Sequence, residues 1–219
     1  MNSISNLSRR EREKLQRRNE ILRSATELFF ERPYDNVSMD DIAQKIELSK
    51  TTLYLYFKNK QSLYFSVVVK GMKILSNELE NAKSGDKTGL NQILSMANAI
   101  YNYMATNSDY YKLNLASRSP RFQVMMQHGE IDNITEYAEL VQNLFSVIEN
   151  SLKLGIADGS IRPDIEPKKA TMFLGSAIER SVLPAPEYEL LFQSENISKR
   201  EYFEHSMTLL LQGISTKRN

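Results

Sequence analysis

The side chains between Ser49 and Lys60 mix cations, hydroxyl groups and phenol rings at the spacing of a short helix. Leu53 and Phe57 lie four residues apart and are expected to face inward. The residues left for the outer face are Lys50, Thr51, Thr52, Tyr54 and Tyr56, and Lys58 and Lys60 flank the helix end. Cationic, hydroxyl and aromatic groups of this kind bind phosphates and base edges. The pattern therefore indicates contact with a DNA duplex.

A second short helix is predicted just before this one, at residues 38–46. Ser38 and Asp41 have the spacing of a capping box, and Ser49 is a favoured N-cap for the next helix, residues 49–57. Only two residues lie between the helices, so the pair has the form of a helix-turn-helix, whose second helix can enter a major groove. A capped helix pair also occurs as ordinary packing, and spacing alone leaves both interpretations open.

The groups that an enzyme would need do not converge anywhere in the sequence. The only two histidines, His128 and His205, lie in unrelated segments, and cysteine is absent. No glycine-rich phosphate loop or metal-binding histidine spacing occurs, and the paired acids Asp40 and Asp41 are explained by helix capping. We therefore expect a protein that is not an enzyme and that uses no metal or cofactor.

The periodicity of apolar residues predicts an all-α protein of about nine or ten helices. Glycine and proline number only 8 and 6, and long segments repeat their apolar residues every 3.6 positions. The expected helices span about residues 8–32, 38–46, 49–57, 60 onward, 90–105, 109–116, 120–128, 131–157, 167–183 and 198–213. A loop is expected at residues 84–89.

Charge and hydropathy restrict the class of protein further. The 28 basic and 27 acidic side chains nearly cancel, but six cations fall between Arg9 and Arg18. The polar start, residues 1–8, lacks the apolar core of a secretion signal. No apolar run approaches the roughly 18–20 residues that a membrane span needs. We expect a soluble cytoplasmic protein that has no membrane partner.

Residues 37–63 resemble the DNA-binding region of the TetR (tetracycline-repressor-like) family. The run Leu-Tyr-Leu-Tyr-Phe-Lys-Asn-Lys at residues 53–60 carries the resemblance most specifically, and residues 21–29 add to it. The close match covers about residues 15–65, and a weaker likeness continues at residues 159–164 and 167–170. The sequence departs from the family pattern at Glu47, where glycine is common, and at Leu55, where a polar or aromatic residue is common.

The resemblance implies a division into two domains. Residues 1–62 would form the helix-turn-helix DNA-binding domain, with a basic arm at 1–18, and residues 63–219 a helical domain for ligand binding and dimerisation. It implies a ligand-responsive regulator, by default a repressor, that binds a palindromic double-stranded operator as a homodimer. The expected DNA contacts are Arg9, Arg10, Ser38, Ser49, Lys50, Thr51, Thr52, Tyr54, Tyr56, Lys58 and Lys60.

The resemblance also implies an internal pocket for a small-molecule effector. Methionine and aromatic side chains suit an apolar or aromatic ligand, although each of them could equally fill the core. The expected pocket residues are Met96, Ile100, Tyr103, Met104, Phe122, Met126, Tyr137 and Phe173. The last two long helices are expected to pair with those of a second subunit through Leu174, Ile178, Phe203, Met207 and Leu210.

Two other functions fit parts of the same pattern. A sequence-indifferent DNA-binding protein would use the cations alone, but the near-neutral total charge disfavours this function. A helical protein-interaction module would not need the exposed cation, hydroxyl and phenol groups of residues 49–60. A ligand-responsive regulator is therefore the favoured prediction.

Overall fold

A computed structural model describes residues 8–83, 85, 88–129 and 131–216 of the chain. Its α-helices are α1 (Arg9–Glu31), α2 (Met39–Lys45), α3 (Lys50–Tyr54), α4 (Lys60–Lys83), α5 (Gly89–Thr106), α6 (Ser108–Ser117), α7 (Pro120–Gln127), α8 (Ile134–Ala157), α9 (Pro167–Val182), α10 (Glu189–Ser194) and α11 (Lys199–Ile214). Short 3-10 helices occupy Tyr34–Asn36 and Pro186–Tyr188. Within those residues no strand is formed, which confirms the all-α prediction.

Local signals set most helix ends where they were expected. Capping boxes begin α1, α2 and α11, and Pro120 and Pro167 occupy the first positions of α7 and α9. The predicted loop at 84–89 lies partly outside the described residues, and Gly89 already belongs to α5. Helix α10 was not predicted. It follows two closely spaced prolines and has a single buried residue, so it shows no apolar periodicity.

The chain divides into two compact units. Residues 1–72 and 109–138 form the N-terminal unit, and residues 73–108 and 139–219 form the C-terminal unit. The N-terminal unit thus gains α6 and α7 in addition to the predicted DNA-binding helices. The functional domain boundary at residue 62 stays a prediction.

Packed aromatic rings form the centre of the N-terminal unit. The ring of Tyr64 stacks on that of Phe122, with centroids 5.0 Å apart, and meets Phe29 and Tyr34 edge-on, each at 5.1 Å. Its hydroxyl donates to the carbonyl of Leu113 at 2.9 Å, which satisfies the one polar atom of a ring that is only 1% exposed. Burial also raises the pKa of Tyr64, so the phenol remains neutral.

A mainly aliphatic core that also contains Phe203 fills the C-terminal unit, in which α9 packs against α5 and α11. Its fully buried members include Leu152, Ile161 and Phe203. The carboxylate of Asp158 accepts from the backbone N–H of Gly89 at 2.7 Å and so closes the start of α5 against the end of α8. Among the described residues, no helix is both long and apolar enough to cross a membrane.

Candidate DNA-binding surface

Reciprocal hydrogen bonds fix the start of α2. The hydroxyl of Ser38 accepts from the N–H of Asp41 at 3.0 Å, and the Asp41 carboxylate accepts from the N–H of Ser38 at 2.7 Å. Hydrogen bonds from the side chain and then the backbone of Ser38 hold the pKa of Asp41 below its usual value. Ser38 was expected to contact DNA. It is exposed, but its hydroxyl is engaged in this cap.

The turn between α2 and α3 contains a left-handed residue that is not glycine. Glu47 has a φ of 53°. The N–H of Leu48 donates to the carbonyl of Ala43 at 2.9 Å, and the N–H of Glu47 donates to that of Gln44 at 3.2 Å. These two bonds form a complete Schellman motif, which ends α2 and turns the chain toward α3. A non-glycine residue in this left-handed conformation is strained, so the departure from glycine at Glu47 has a conformational cost.

Helix α3 presents one buried face and one exposed face. Ser49 caps it by accepting from the N–H of Thr52 at 3.1 Å. Leu53 and Phe57 are buried, as expected, and the guanidinium of Arg18 lies 4.5 Å from the centroid of the Phe57 ring. The helix ends at Tyr54, earlier than the predicted residue 57, and its outer face exposes Lys50, Thr51 and Tyr54, while Thr52 is half-buried. Beyond the helix end Tyr56 is half-buried and Lys58 is exposed. Leu55 is 74% exposed beside these residues and was not predicted as a contact.

Lys60 lies away from this exposed face. Its ammonium donates to the carbonyls of Tyr34 and Val37 at 2.9 and 2.8 Å and lies 4.1 Å from the centroid of the Tyr34 ring. Partial burial lowers the pKa of Lys60. The charge of Lys60 thus holds the α1–α2 connection against the start of α4, and its contact with DNA stays a prediction.

The predicted basic arm, residues 1–18, is described only from residue 8, and its residues 9–18 belong to α1. Residues 1–7 lie outside the described residues, and the helix begins at Arg9 after the Ser8 cap. Arg9 and Arg10 are both exposed, and Arg9 pairs with Glu13 at 2.8 Å on the same helix. Both arginines remain available to phosphates, since an exposed ion pair of this kind is weak in water.

The predicted pocket residues fall into both units and differ in exposure. In the C-terminal unit Met96, Tyr103 and Met104 are buried and Ile100 is half-buried, while in the N-terminal unit Phe122 is buried and Met126 and Tyr137 are half-buried. Phe173 is 63% exposed and lines an open groove of about 640 Å³ between α9 and α11. This exposure corrects the placement of Phe173 in an internal pocket.

The predicted dimer contacts also need correction. Leu174, Ile178, Phe203 and Met207 are between 1% and 4% exposed, because they form the core of the C-terminal unit. A side chain with no free surface cannot add contact area with a second subunit. Leu210 is half-buried and lines the α9–α11 groove. The exposed apolar residues of the same two helices are Met172 (68%), Phe173 (63%) and Leu209 (57%).

The surface built by α2 and α3 lies in the segment that is most similar to known proteins. Residues 21–67 match the family of bacterial regulatory proteins described as the tetR family. The transcriptional activator FasR of Mycolicibacterium smegmatis is 28% identical over 98 residues, which span 45% of each chain. The fatty acid metabolism regulator protein of Bacillus subtilis is 20% identical over 202 residues, or 90% of this chain and 95% of that protein.

The likeness in fold extends over most of the chain. A TetR/AcrR-family transcriptional regulator from Thermobifida fusca is 26% identical, with a TM-score of 0.65 over 90% of this chain and 98% of that one. The regulator FadR of Bacillus subtilis, solved in complex with stearoyl-CoA, is 18% identical and gives a TM-score of 0.66, covering 89% of this chain and 98% of that one. All four proteins are regulators rather than enzymes. In its N-terminal segment and in its fold over most of the chain, the protein is therefore similar to transcriptional regulators of the TetR family.

Proposed function

We propose that the protein represses transcription as a homodimer that binds a palindromic operator and is released by a small apolar effector. The observation that carries the proposal is the exposed face of α3, where Lys50, Thr51 and Tyr54 lie opposite the buried Leu53, and exposed Lys58 follows the end of the helix. Helix-turn-helix dimers place two such helices in major grooves about one turn apart, which requires a two-fold symmetric site.

Selection of bound duplexes from a random DNA pool at about physiological salt tests this proposal. Enrichment of a two-fold symmetric motif supports a sequence-specific dimer. Binding that shows no enrichment and disappears uniformly as salt rises would instead support sequence-indifferent association through phosphates. Placing the recovered motif before a reporter promoter then determines the direction of control. Reporter output should fall when the protein is present and should recover when the effector is added.

The effector that we propose is a long-chain acyl compound such as an acyl-CoA. Support comes from the relatives, since the Bacillus subtilis protein is named a fatty acid metabolism regulator and the FadR structure holds stearoyl-CoA. Buried Met96, Tyr103 and Met104 supply adaptable apolar surface for an acyl chain in the C-terminal unit. An aromatic effector is the second candidate, because methionine and aromatic side chains also suit an aromatic ligand.

Effector and operator must act reciprocally if the ligand releases DNA. An effector that weakens operator binding by a given factor loses the same factor in its own affinity when operator is present. Calorimetric titration of stearoyl-CoA into free protein and into the protein–operator complex measures both affinities. Equal affinities would contradict release by this ligand, because a ligand that binds two states equally shifts neither.

A further inference from the structure

One ion pair joins the two helices of the DNA-binding surface. The ammonium of Lys50, the first residue of α3, donates to a carboxylate oxygen of Asp40, the second residue of α2, at 2.7 Å. Both side chains are exposed, at 51% and 64%. The neighbouring Asp41 uses its carboxylate for the helix cap, so the two adjacent acids have separate roles.

Stability does not account for this pair. An ion pair between two side chains that are more than half exposed contributes little to folding, since water already solvates both charges. A carboxylate on a surface that binds DNA also opposes every phosphate that approaches it. The charge of Asp40 favours the start of α2, in whose first turn it lies, and its pair with Lys50 has an additional effect on DNA binding.

The effect of Asp40 should differ between phosphate contacts and base contacts. A free lysine on a recognition helix binds any phosphate within reach, which strengthens attachment to all sequences equally. A lysine held by a carboxylate is restricted to few side-chain conformations. It therefore loses less conformational entropy when it forms one defined contact. The pair therefore weakens indiscriminate binding more than binding to the correct site.

We propose that Asp40 is a specificity-determining residue, which holds Lys50 and suppresses sequence-independent binding through phosphates. The inference rests on the proposed function, because it requires that the protein distinguish an operator from other DNA. In this role Asp40 affects the ratio of the affinities for operator and for other DNA. Operator binding itself does not require Asp40.

Asp40→Asn tests the assignment, with Asp40→Ser as a second variant that keeps a good helix-start residue. Affinities for the selected operator and for an unrelated duplex are measured between about 50 and 200 mM salt. We expect binding to the unrelated duplex to tighten about tenfold at about 0.1 M salt, as one added phosphate contact implies, and its salt slope to steepen by about one. Operator affinity should change less, so the specificity ratio should fall.

Glu27→Gln is the matched control. Glu27 pairs with Lys45 at 2.9 Å, so its removal also deletes one negative charge and frees one lysine in the N-terminal unit. It should leave the specificity ratio unchanged. The second control is Asp40→Asn in a Lys50→Met background, where the ratio should no longer respond. If Asp40→Asn raises both affinities by the same factor, or leaves both unchanged, the inference is wrong.

Different results would contradict the proposed function and the role of Asp40. If wild-type protein binds all duplexes equally, the proposed function and the inference fall together. If wild-type protein selects an operator and Asp40→Asn selects it with the same ratio, only the inference fails. Circular dichroism of each variant shows whether the helices are retained, and the two Asp40 replacements must agree.

Discussion

The roles of individual residues at the helix-turn-helix depend on both local and distant contacts. Ser38, Ser49 and Asp41 cap helices within three residues of themselves, so their roles follow from sequence spacing. Lys60 bonds to carbonyls 26 and 23 residues earlier in the chain, which no local pattern records. Its lysine type fits a DNA contact and an internal anchor equally well, and only the folded chain distinguishes the two.

Replacing Glu47 by glycine should stabilise the protein. A left-handed residue with a Cβ is strained, and glycine removes this strain at the expense of greater freedom in the unfolded chain. We expect Glu47→Gly to raise the free energy of unfolding by about 1 kcal/mol, measured by chemical denaturation. A lower free energy of unfolding would show that the Glu47 side chain stabilises the protein by more than its left-handed backbone destabilises it.

Asn196 offers the matched control for this change. It has a φ of 52° and ends α10 with the same pair of hydrogen bonds, from Ile197 to Phe192 at 2.9 Å and from Asn196 to Gln193 at 3.4 Å. Asparagine tolerates the left-handed region better than glutamate does. Asn196→Gly should therefore raise the free energy of unfolding by less than Glu47→Gly does. An equal increase would indicate that glycine stabilises such turns regardless of the residue that it replaces.

Lys60→Met should destabilise the protein and leave its DNA contacts intact. The replacement keeps the length of the stem but removes the donor to two carbonyls, which should cost about 1–3 kcal/mol of unfolding free energy. Lys58→Met is the control at an exposed lysine of the same segment. It should leave stability unchanged and reduce the salt slope of DNA binding by about one. If Lys60→Met instead reduced the salt slope and Lys58→Met reduced the stability, Lys60 would be the residue that contacts DNA.

At the scale of the element, the starts of capped helices could be predicted from the sequence, whereas helix α10 could not. Residues such as Ser198 and Glu201 form their capping box within a single turn, so the sequence alone places the start of α11. Helix α10 has no such signal. It exposes Leu190 and Leu191 at 76% and 56% and buries Phe192 alone, so neither capping nor an apolar stripe marks it.

The cap of α2 should make stability depend on pH in acid. The pKa of Asp41 is lower in the folded protein than in the unfolded chain, so its contribution is present above the ordinary carboxylate range and is lost as pH falls through the folded pKa. The gap in thermal stability between wild type and Asp41→Asn should shrink as pH falls from about 5 to about 3. A gap that stays constant over this range would show that the charge of Asp41 does not stabilise the cap.

At the scale of the whole molecule, periodicity identified buried faces without identifying what covers them. The positions of Leu174 and Phe203 in their helices predict apolar contact, and the same pattern serves a subunit core and a subunit interface. The structure assigns both residues to the core. Phe173 and Leu209 remain exposed on the outer surface of the same two helices, although Phe173 was expected in an internal pocket.

Charge on this outer surface should separate the subunits of the proposed homodimer. Phe173→Asp and Leu209→Asp each place a carboxylate where we propose that two copies bury apolar surface. We expect either variant to sediment as a monomer at concentrations where wild type is a dimer, and to bind operator more weakly. Val124→Asp is the control, since Val124 is 51% exposed in the N-terminal unit. Dimeric Phe173→Asp and Leu209→Asp proteins would contradict this interface.

The strained turn at Glu47 has a consequence for how the gene can change. Glutamate and glycine codons differ by a single base at the second position, so the glycine that this backbone favours is accessible by one point mutation. A genetic screen for second-site suppressors of a destabilised variant should recover this substitution repeatedly. The same screen would find no comparable single-base route at a turn that already contains glycine, such as Gly159.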